Sequence, residues 1–234
     1  MPRVVRGLAD RLIYHVLNRG NGRQEVFHKD KDYEAFINLM KQAKERYPVK
    51  IFGYCLMPNH FHMVLMPDKG EELSIWIQWL MTSHVRRYHR HYGTSGHIWQ
   101  GRFKSFIIEK DEHLLMVLRY VEGNPVRAGL VESAKGWSWS SHNARIVKEG
   151  QSLSSKGTVP FINELPIEIP KAWDKYVDEP LTYKELERLR QSVNRQAPYG
   201  RTEWQIKMTR ELGWESTLRP WGRPRKDIEK DEKK

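Results

Sequence analysis

The spacing of hydrophobic and polar residues divides the first part of the chain into alternating strands and helices. From Asp32 to Tyr47 apolar residues recur at helical intervals, and Pro48 ends the pattern. Two apolar runs, residues 49–57 and 60–66, are joined by Pro58 and Asn59, which is typical of an antiparallel hairpin. Similar patterns predict strands at residues 12–17 and 99–108 and helices at residues 71–91 and 111–122.

The first six of these elements run strand, helix, strand, strand, helix, strand. This order predicts an α+β protein with a ferredoxin-like split βαβ fold, in which both helices cover one face of an antiparallel sheet. The helix at residues 111–122 would then be an additional helix that docks near the open face. We expect residues 1–147 to form this domain and residues 148–234 to form a basic, partly helical extension with a disordered tail.

Two histidines, His60 and His62, are separated by one apolar residue in the predicted third strand. Alternate residues of a strand share a face, so the two imidazoles would project from the open face about 7 Å apart. Two neutral imidazoles can hold one divalent cation and leave coordination positions open for substrate. The alternative is that one histidine is buried in the core and the other is solvated.

The predicted third helix places a tyrosine and an asparagine on one flank. Tyr120 and Asn124 are four residues apart and would lie one above the other on a helix. Without further information Tyr120 could be a residue at the rim of the core, and Asn124 could simply end the helix before Pro125. Spacing alone also allows two tyrosines of the second helix, Tyr88 and Tyr92, as nucleophiles.

Composition favours a polyanionic partner. The 234 residues include 40 Lys and Arg against 29 Asp and Glu, which gives a net charge of +11. A single cysteine, Cys55, excludes an internal disulfide framework and a cysteine-based zinc site, and fits a reducing cytoplasm. No apolar run is long enough for a membrane span, and the N-terminus has no secretory signal, so we expect a cytoplasmic protein.

Three segments resemble the signature blocks of a known family. They are residues 57–62 (MPNHFH), 96–105 (GHIWQGRFKS) and 119–131 (RYVEGNPVRAGLV). In this order and spacing they are similar to the IS200-like single-tyrosine (HUH) transposases, and most similar to the REP-associated tyrosine transposases. The resemblance covers about residues 10–147. One departure is Glu122–Gly123, where the family usually has a larger, more apolar pair.

The resemblance implies a role for individual residues. Tyr120 takes the place of the nucleophile, and His60, His62 and Asn124 take the places of the metal ligands. The implied cofactor is Mg²⁺ or Mn²⁺, although the donor set alone would bind Zn²⁺ or Cu²⁺ more tightly. The residues expected to contact DNA in the matched blocks are Gln100, Arg102, Lys104 and Arg127. Gln100, Arg102 and Lys104 would share one face of the predicted fourth strand by alternation.

The segment after residue 147 carries two predicted helices, residues 182–196 and 202–212. They could form a DNA-reading helix-turn-helix or an ordinary helical hairpin. The basic tail at residues 219–226 resembles the ending of some REP-associated transposases. Its Arg223 and Arg225 are expected to contact DNA as parts of a minor-groove arm.

These observations favour a DNA transposase that cleaves and rejoins single-stranded DNA at hairpin or palindromic, REP-like elements through a 5′-phosphotyrosine. A DNA-binding regulatory protein that does not cleave and a metal-assisted RNA nuclease are the alternatives. The sequence leaves open whether the protein acts as a monomer or a homodimer.

Overall fold

A four-stranded antiparallel sheet forms the centre of the computed structural model, which describes residues 8–146 and 161–219. The strands are β1 (Ile13–Arg19), β2 (Val49–Met57), β3 (His60–Pro67) and β4 (Lys104–Ile108). Their spatial order is β2-β3-β1-β4, and every neighbouring pair is antiparallel. The predicted α+β class with the ferredoxin-like order of elements is therefore confirmed.

Two long helices, α1 (Asp30–Arg46) and α2 (Gly70–Tyr92), cover one face of the sheet. The fully buried side chains Phe36 of α1 and Trp76 of α2 belong to the same core as Phe61 and Met63 of β3. Because side chains alternate along a strand, His60 and His62 project from the opposite face. The hairpin connection at Pro58 and Asn59 is confirmed. None of the helices within the described ranges is long and apolar enough to cross a membrane.

The fourth strand is shorter than the sequence predicts. Residues 99–108 read as one strand, but β4 begins only at Lys104, and Trp99 makes a single isolated bridge to Gly20. Gly101 has φ of 65°, a left-handed conformation that ends an extended run. The expectation that Gln100 and Arg102 alternate with Lys104 on one strand face is therefore wrong, since both lie in the loop before β4.

A third helix, α3 (Glu112–Glu122), packs on the face that α1 and α2 leave open. It begins within a residue of its predicted position, where the Asp111 side chain accepts a hydrogen bond from the His113 N–H. Gly123 interrupts the helix with φ of −83° and ψ of 3°, and a short helix, α4 (Asn124–Arg127), follows. Asn124 is thus separated from Tyr120 by a kink and does not belong to the same helix.

The segment after α4 returns along the outer edge of β2. It contains a 3₁₀ turn (Ala134–Gly136) and a helix, α5 (Ser141–Ile146). The Leu56 N–H donates to the Trp139 carbonyl over 2.9 Å, and the Trp137 indole donates to the Leu56 carbonyl over 2.9 Å. The edge strand is thereby covered.

The C-terminal extension adds the helices α6 (Trp173–Asp178), α7 (Tyr183–Arg195) and α8 (Thr202–Leu212), and a 3₁₀ turn (Glu215–Thr217). The sequence predicts α7 and α8 but not α6. The connection between α7 and α8 is bound to the edge of β4, where the Tyr199 N–H donates to Ile107 and the Glu109 N–H to Tyr199. The extension is therefore attached to the sheet opposite β2. The predicted DNA contacts Arg223 and Arg225 lie outside the described residues, as does the expected disordered tail.

Candidate active site

The two predicted metal-binding histidines lie together on β3. The ring centroids of His60 and His62 are 5.0 Å apart, and the rings are nearly perpendicular. His62 is buried, whereas His60 is partly exposed. The open sheet face therefore presents one protected imidazole beside one that substrate can approach.

Each of these imidazoles uses its Nδ1 atom in a hydrogen bond inside the protein. His60 Nδ1 lies 2.6 Å from the Asn59 side-chain oxygen. His62 Nδ1 lies 2.9 Å from Nε2 of His15, which is completely buried on the central strand β1. When both Nδ1 atoms carry the proton, the lone pairs of both Nε2 atoms are available to a cation.

His15 is a functional candidate that the sequence analysis does not identify. It stacks on His62 with ring centroids 5.0 Å apart, and its own Nδ1 has no hydrogen-bond partner among the described residues. The available signal was a polar residue inside the apolar run of residues 12–17. The sequence does not show that β1 pairs with β3, and only this pairing places His15 beside His62.

Burial keeps all three imidazoles neutral. It lowers the pKa of His60 to about 4, with smaller contributions from the positive charges of Arg19 and Arg127. Burial also lowers the pKa of His15 to about 3 and that of His62 well below its ordinary value. Because only the neutral imidazole has a free lone pair, the cluster is in the protonation state that binds metal at neutral pH.

Tyr120 of α3 lies against this cluster. Its ring centroid is 5.6 Å from that of His62 and 6.2 Å from that of His15, in edge-to-face arrangements. The two rival tyrosines lie on α2 beneath the other face of the sheet. The Tyr88 hydroxyl is 2.8 Å from His28 Nε2, and the Tyr92 hydroxyl donates to Asp32 over 2.5 Å. Of the three tyrosines, only Tyr120 adjoins the histidines.

Arg127 adds a positive charge beside the tyrosine. Its guanidinium carbon is 4.3 Å from the centroid of the Tyr120 ring, and one of its N–H groups donates to the Tyr120 carbonyl. A guanidinium in this position can stabilise a phenolate or bind a phosphate. Asn124, the predicted third ligand, is partly exposed at the start of α4, and its side chain has no hydrogen bond within the described residues.

A buried carboxylate, Glu122, fixes the end of α3 that carries Tyr120. One oxygen accepts from Ser141 over 2.6 Å and from Arg145 over 2.9 Å, and the other accepts from Trp173 over 2.7 Å and His142 over 3.2 Å. These partners belong to α5, which packs against β2, and to α6, which packs against α3 and α5. Glu122 therefore ties the end of α3 to its neighbours.

The neighbouring Gly123 is explained by the same packing. A Cβ atom at this position would lie 3.0 Å from the Val177 carbonyl of α6 and 2.9 Å from the Arg119 carbonyl. Only glycine allows α6 to approach so closely. Contacts with α6 of the extension thus account for the Glu122–Gly123 pair, which departs from the family pattern.

The predicted DNA contacts of the second block also lie together. Gln100, Arg102 and Lys104 line one cavity of about 450 Å³ with Arg195 of α7. Only Lys104 is part of a strand. The three residues therefore lie together because of the loop around Gly101, and not because they alternate along a strand. The cavity is bordered both by residues around β4 and by residues of the extension.

A second group of potential metal ligands lies where the extension joins β4. Ligand atoms of Glu109, Asp111 and His113 are within 4.8 Å of one another. They are already paired, since Arg201 donates to Glu109 over 2.9 Å and Arg188 lies 3.3 Å from His113 Nε2. A cation bound here would compete with Arg201, so this group is better suited to holding the extension in place.

His60, His62 and Tyr120 thus form one cluster on the open face of a ferredoxin-like sheet. The family model described as "Transposase IS200 like" matches residues 9–124. A Haemophilus influenzae protein assigned to the REP-associated tyrosine transposases is 32% identical over 130 residues, which are 50% of this chain and 73% of that protein. The chain belongs to this family of IS200-like, REP-associated tyrosine transposases.

Two more distant similarities agree with this family. A REP-associated tyrosine transposase from Escherichia coli K12 is 20% identical over 137 residues, which are 58% of this chain and 78% of that protein. A solved structure of a REP-associated tyrosine transposase bound to a REP hairpin has a TM-score of 0.55 at 18% identity. The match covers 73% of this chain and 100% of the solved chain, and at 18% identity it supports the similarity of fold alone.

Proposed function

We propose that the chain is a metal-dependent endonuclease and strand-transferase that cuts single-stranded DNA at hairpin or palindromic elements. The observation that carries this proposal is the contact of Tyr120 with His62, which brings a nucleophile beside two neutral imidazoles with available Nε2 atoms. The net charge of +11 and the hairpin bound to the structural relative support DNA as the substrate.

His60 and His62 would hold the cation through Nε2, and the Asn124 carboxamide would be the third ligand. Mg²⁺ or Mn²⁺ suits a site of this kind because most of its coordination is left to substrate oxygens and water. When bound, the cation would polarise a non-bridging phosphate oxygen and stabilise the leaving 3′-oxygen. The neutral state and the internal Nδ1 hydrogen bonds of both histidines fit this role.

Tyr120 would attack the scissile phosphorus. A bond forms between phosphorus and the tyrosine oxygen while the bond to the 3′-oxygen breaks. The phenolic proton is lost and the 3′-oxygen gains one, so the products are a 5′-phosphotyrosine and a free 3′-hydroxyl. Arg127 stabilises the developing negative charge next to the ring. A 3′-hydroxyl of another strand can reverse the reaction, because the phosphotyrosine keeps a diester.

The direct test is a denaturing gel of end-labelled hairpin DNA with a single-stranded flank, incubated with the protein and Mn²⁺. We expect a labelled band at the size of the protein plus the cleaved fragment, and no such band in the presence of EDTA. If no divalent cation supports the band while the DNA still binds, the protein is a binding or regulatory protein without cleavage.

His15 provides a second prediction, which concerns cation affinity alone. In the metal-binding tautomer His62 Nδ1–H donates to His15 Nε2, and His15→Phe removes this acceptor while keeping an aromatic ring in the core, so that tautomer is no longer selected. Loss of such a supporting hydrogen bond typically costs about 10- to 100-fold in metal affinity. Mn²⁺ titration by calorimetry measures this without any reaction. The fully buried Tyr14, on the other face of β1, gives the matched control Tyr14→Phe, which should leave affinity unchanged.

A further inference from the structure

A basic cleft lies between β4 and the C-terminal extension, separate from the tyrosine site. We call it the extension cleft; its volume is about 860 Å³. Within residues 8–146 and 161–219 its lining includes four basic side chains, Lys104, Arg188, Arg195 and Arg219, and no Asp or Glu. The polar amides of Gln191, Asn194 and Gln205 also line it. A surface that combines cations with amide donors, and lacks carboxylates, is suited to an extended anion.

The cations of the extension cleft are positioned by the fold. Arg195 donates from Nε to the Thr217 carbonyl over 2.7 Å, which links α7 to the last 3₁₀ turn. Arg188 donates to the Gly200 carbonyl and lies over the Tyr199 ring, 5.1 Å from its centroid. Neither of these two arginines is paired with a carboxylate in the described part of the chain, so their charges are available to a ligand.

The extension cleft continues toward the predicted DNA contacts. The smaller cavity at Gln100 and Arg102 shares three lining residues with it, Lys104, Arg195 and Thr217. The two cavities are therefore neighbouring parts of one basic surface, to which both the catalytic domain and the extension contribute.

The strand register places this surface relative to the tyrosine site. Lys104 lies directly opposite Leu17 of β1, which lies directly opposite His62 of β3. Directly opposite residues of antiparallel strands share a face, so Lys104 projects from the face that carries His62 and Tyr120. Two strand spacings separate Lys104 from His62, which is roughly 10 Å. Only a short stretch of a nucleic acid strand is therefore needed to connect the cleft to the tyrosine site.

We infer that the extension cleft binds the single-stranded DNA that flanks the hairpin, by its phosphate backbone, and directs it to Tyr120. This inference rests on the proposed function. Among the residues that the structure describes, the lining of the extension cleft has no aromatic side chain, so binding to these residues depends on charge and hydrogen bonds and not on stacked bases. The contacts are therefore independent of the flank's sequence and strongly dependent on salt.

The test compares binding of two DNA molecules, the hairpin alone and the hairpin with a single-stranded flank. The Tyr120→Phe protein is used throughout without divalent cations, so that no cleavage occurs. In this background Arg219→Glu and Gln191→Glu are combined, since both residues line the cleft and are exposed. We expect affinity for the flanked hairpin to fall at least about tenfold and the salt slope to decrease by about 1 or more. Affinity for the hairpin alone should stay the same.

The matched control is Lys184→Glu, an exposed change on α7 outside the cleft, which should alter either affinity less than about twofold. If the double variant melts at a lower temperature, Gln191→Glu alone is used. Equal losses for both DNA molecules, or no loss, would overturn the inference. The double variant could weaken binding of the flanked hairpin as expected while the unmodified protein forms no covalent adduct. That result would reject the proposed cleavage and leave the assignment of the cleft in place.

Discussion

Changing Tyr120→Phe should abolish the covalent adduct with hairpin DNA while leaving DNA affinity within about twofold. Phenylalanine keeps the ring packed against His62 and under Arg127, so the histidine cluster is not disturbed. The hydroxyl is the only group lost, and removal of a nucleophile commonly costs about 10³-fold or more in the rate of the chemical step. The adduct is measured on a denaturing gel, and affinity is measured by fluorescence anisotropy.

Two control variants separate a specific loss from a general one. Tyr183→Phe removes an equally sized hydroxyl from a residue that is 79% exposed, and it should form the adduct at the normal rate. Tyr88→Phe tests the rival nucleophile on α2 and should also retain the adduct, because its hydroxyl contacts His28 on the far side of the sheet. Adduct formation by the Tyr120→Phe protein would disprove the assignment of the nucleophile.

The elements of the ferredoxin-like part of the chain could be predicted from the sequence because each has a clear local pattern. The apolar positions of α1 recur every three or four residues up to Pro48, and the hairpin of β2 and β3 turns at Pro58 and Asn59. The His60 and His62 pair is also local, since alternation alone places both on one face. These features need no information from distant parts of the chain.

The parts that the sequence did not predict depend on distant contacts. His15 contacts His62 across 47 residues, and Glu122 binds Trp173 across 51 residues. Periodicity contains no information about either pair. The error at β4 has a different cause. Gln100, Arg102 and Lys104 do alternate in the sequence, but the left-handed conformation of Gly101 keeps the first two out of the strand, and the alternation does not reveal this conformation. The three side chains nevertheless line one cavity.

The extension contacts the ferredoxin-like part of the chain in two places. α6 supplies Trp173 to the Glu122 network, and the connection between α7 and α8 binds the free edge of β4 through Tyr199. Helix α7 and the residues that follow it form most of the basic cleft. The extension is therefore part of the support of the tyrosine site as well as a candidate DNA contact, and the two roles are tested by different variants.

Changing Glu122→Gln should destabilise the protein by roughly 3 kcal/mol at neutral pH. The new amide would fill the same space but leave the buried Arg145 charge without a counter-charge, and breaking a buried pair in this way is strongly destabilising. Burial alone would raise the pKa of Glu122, but the Arg145 charge and the His142 hydrogen bond outweigh it and lower this pKa to about 2. A shift of this size corresponds to roughly the same free energy. Urea unfolding followed by circular dichroism measures the difference.

The pH dependence gives an independent check on the cause. A carboxylate whose pKa is lowered on folding stabilises the protein above its ordinary pKa, near 4.5, and this contribution is lost as pH falls toward about 2. The difference between Glu122→Gln and the unmodified protein should therefore be largest at neutral pH and become smaller below about pH 4.5. Glu112→Gln, an exposed change on the same helix, should cost less than about 0.5 kcal/mol. A difference that stays constant down to pH 2.5 would mean that Glu122 acts through packing and not through its charge. In that case the end of α3 would not depend on the ion pair with Arg145 for its position beside the histidines.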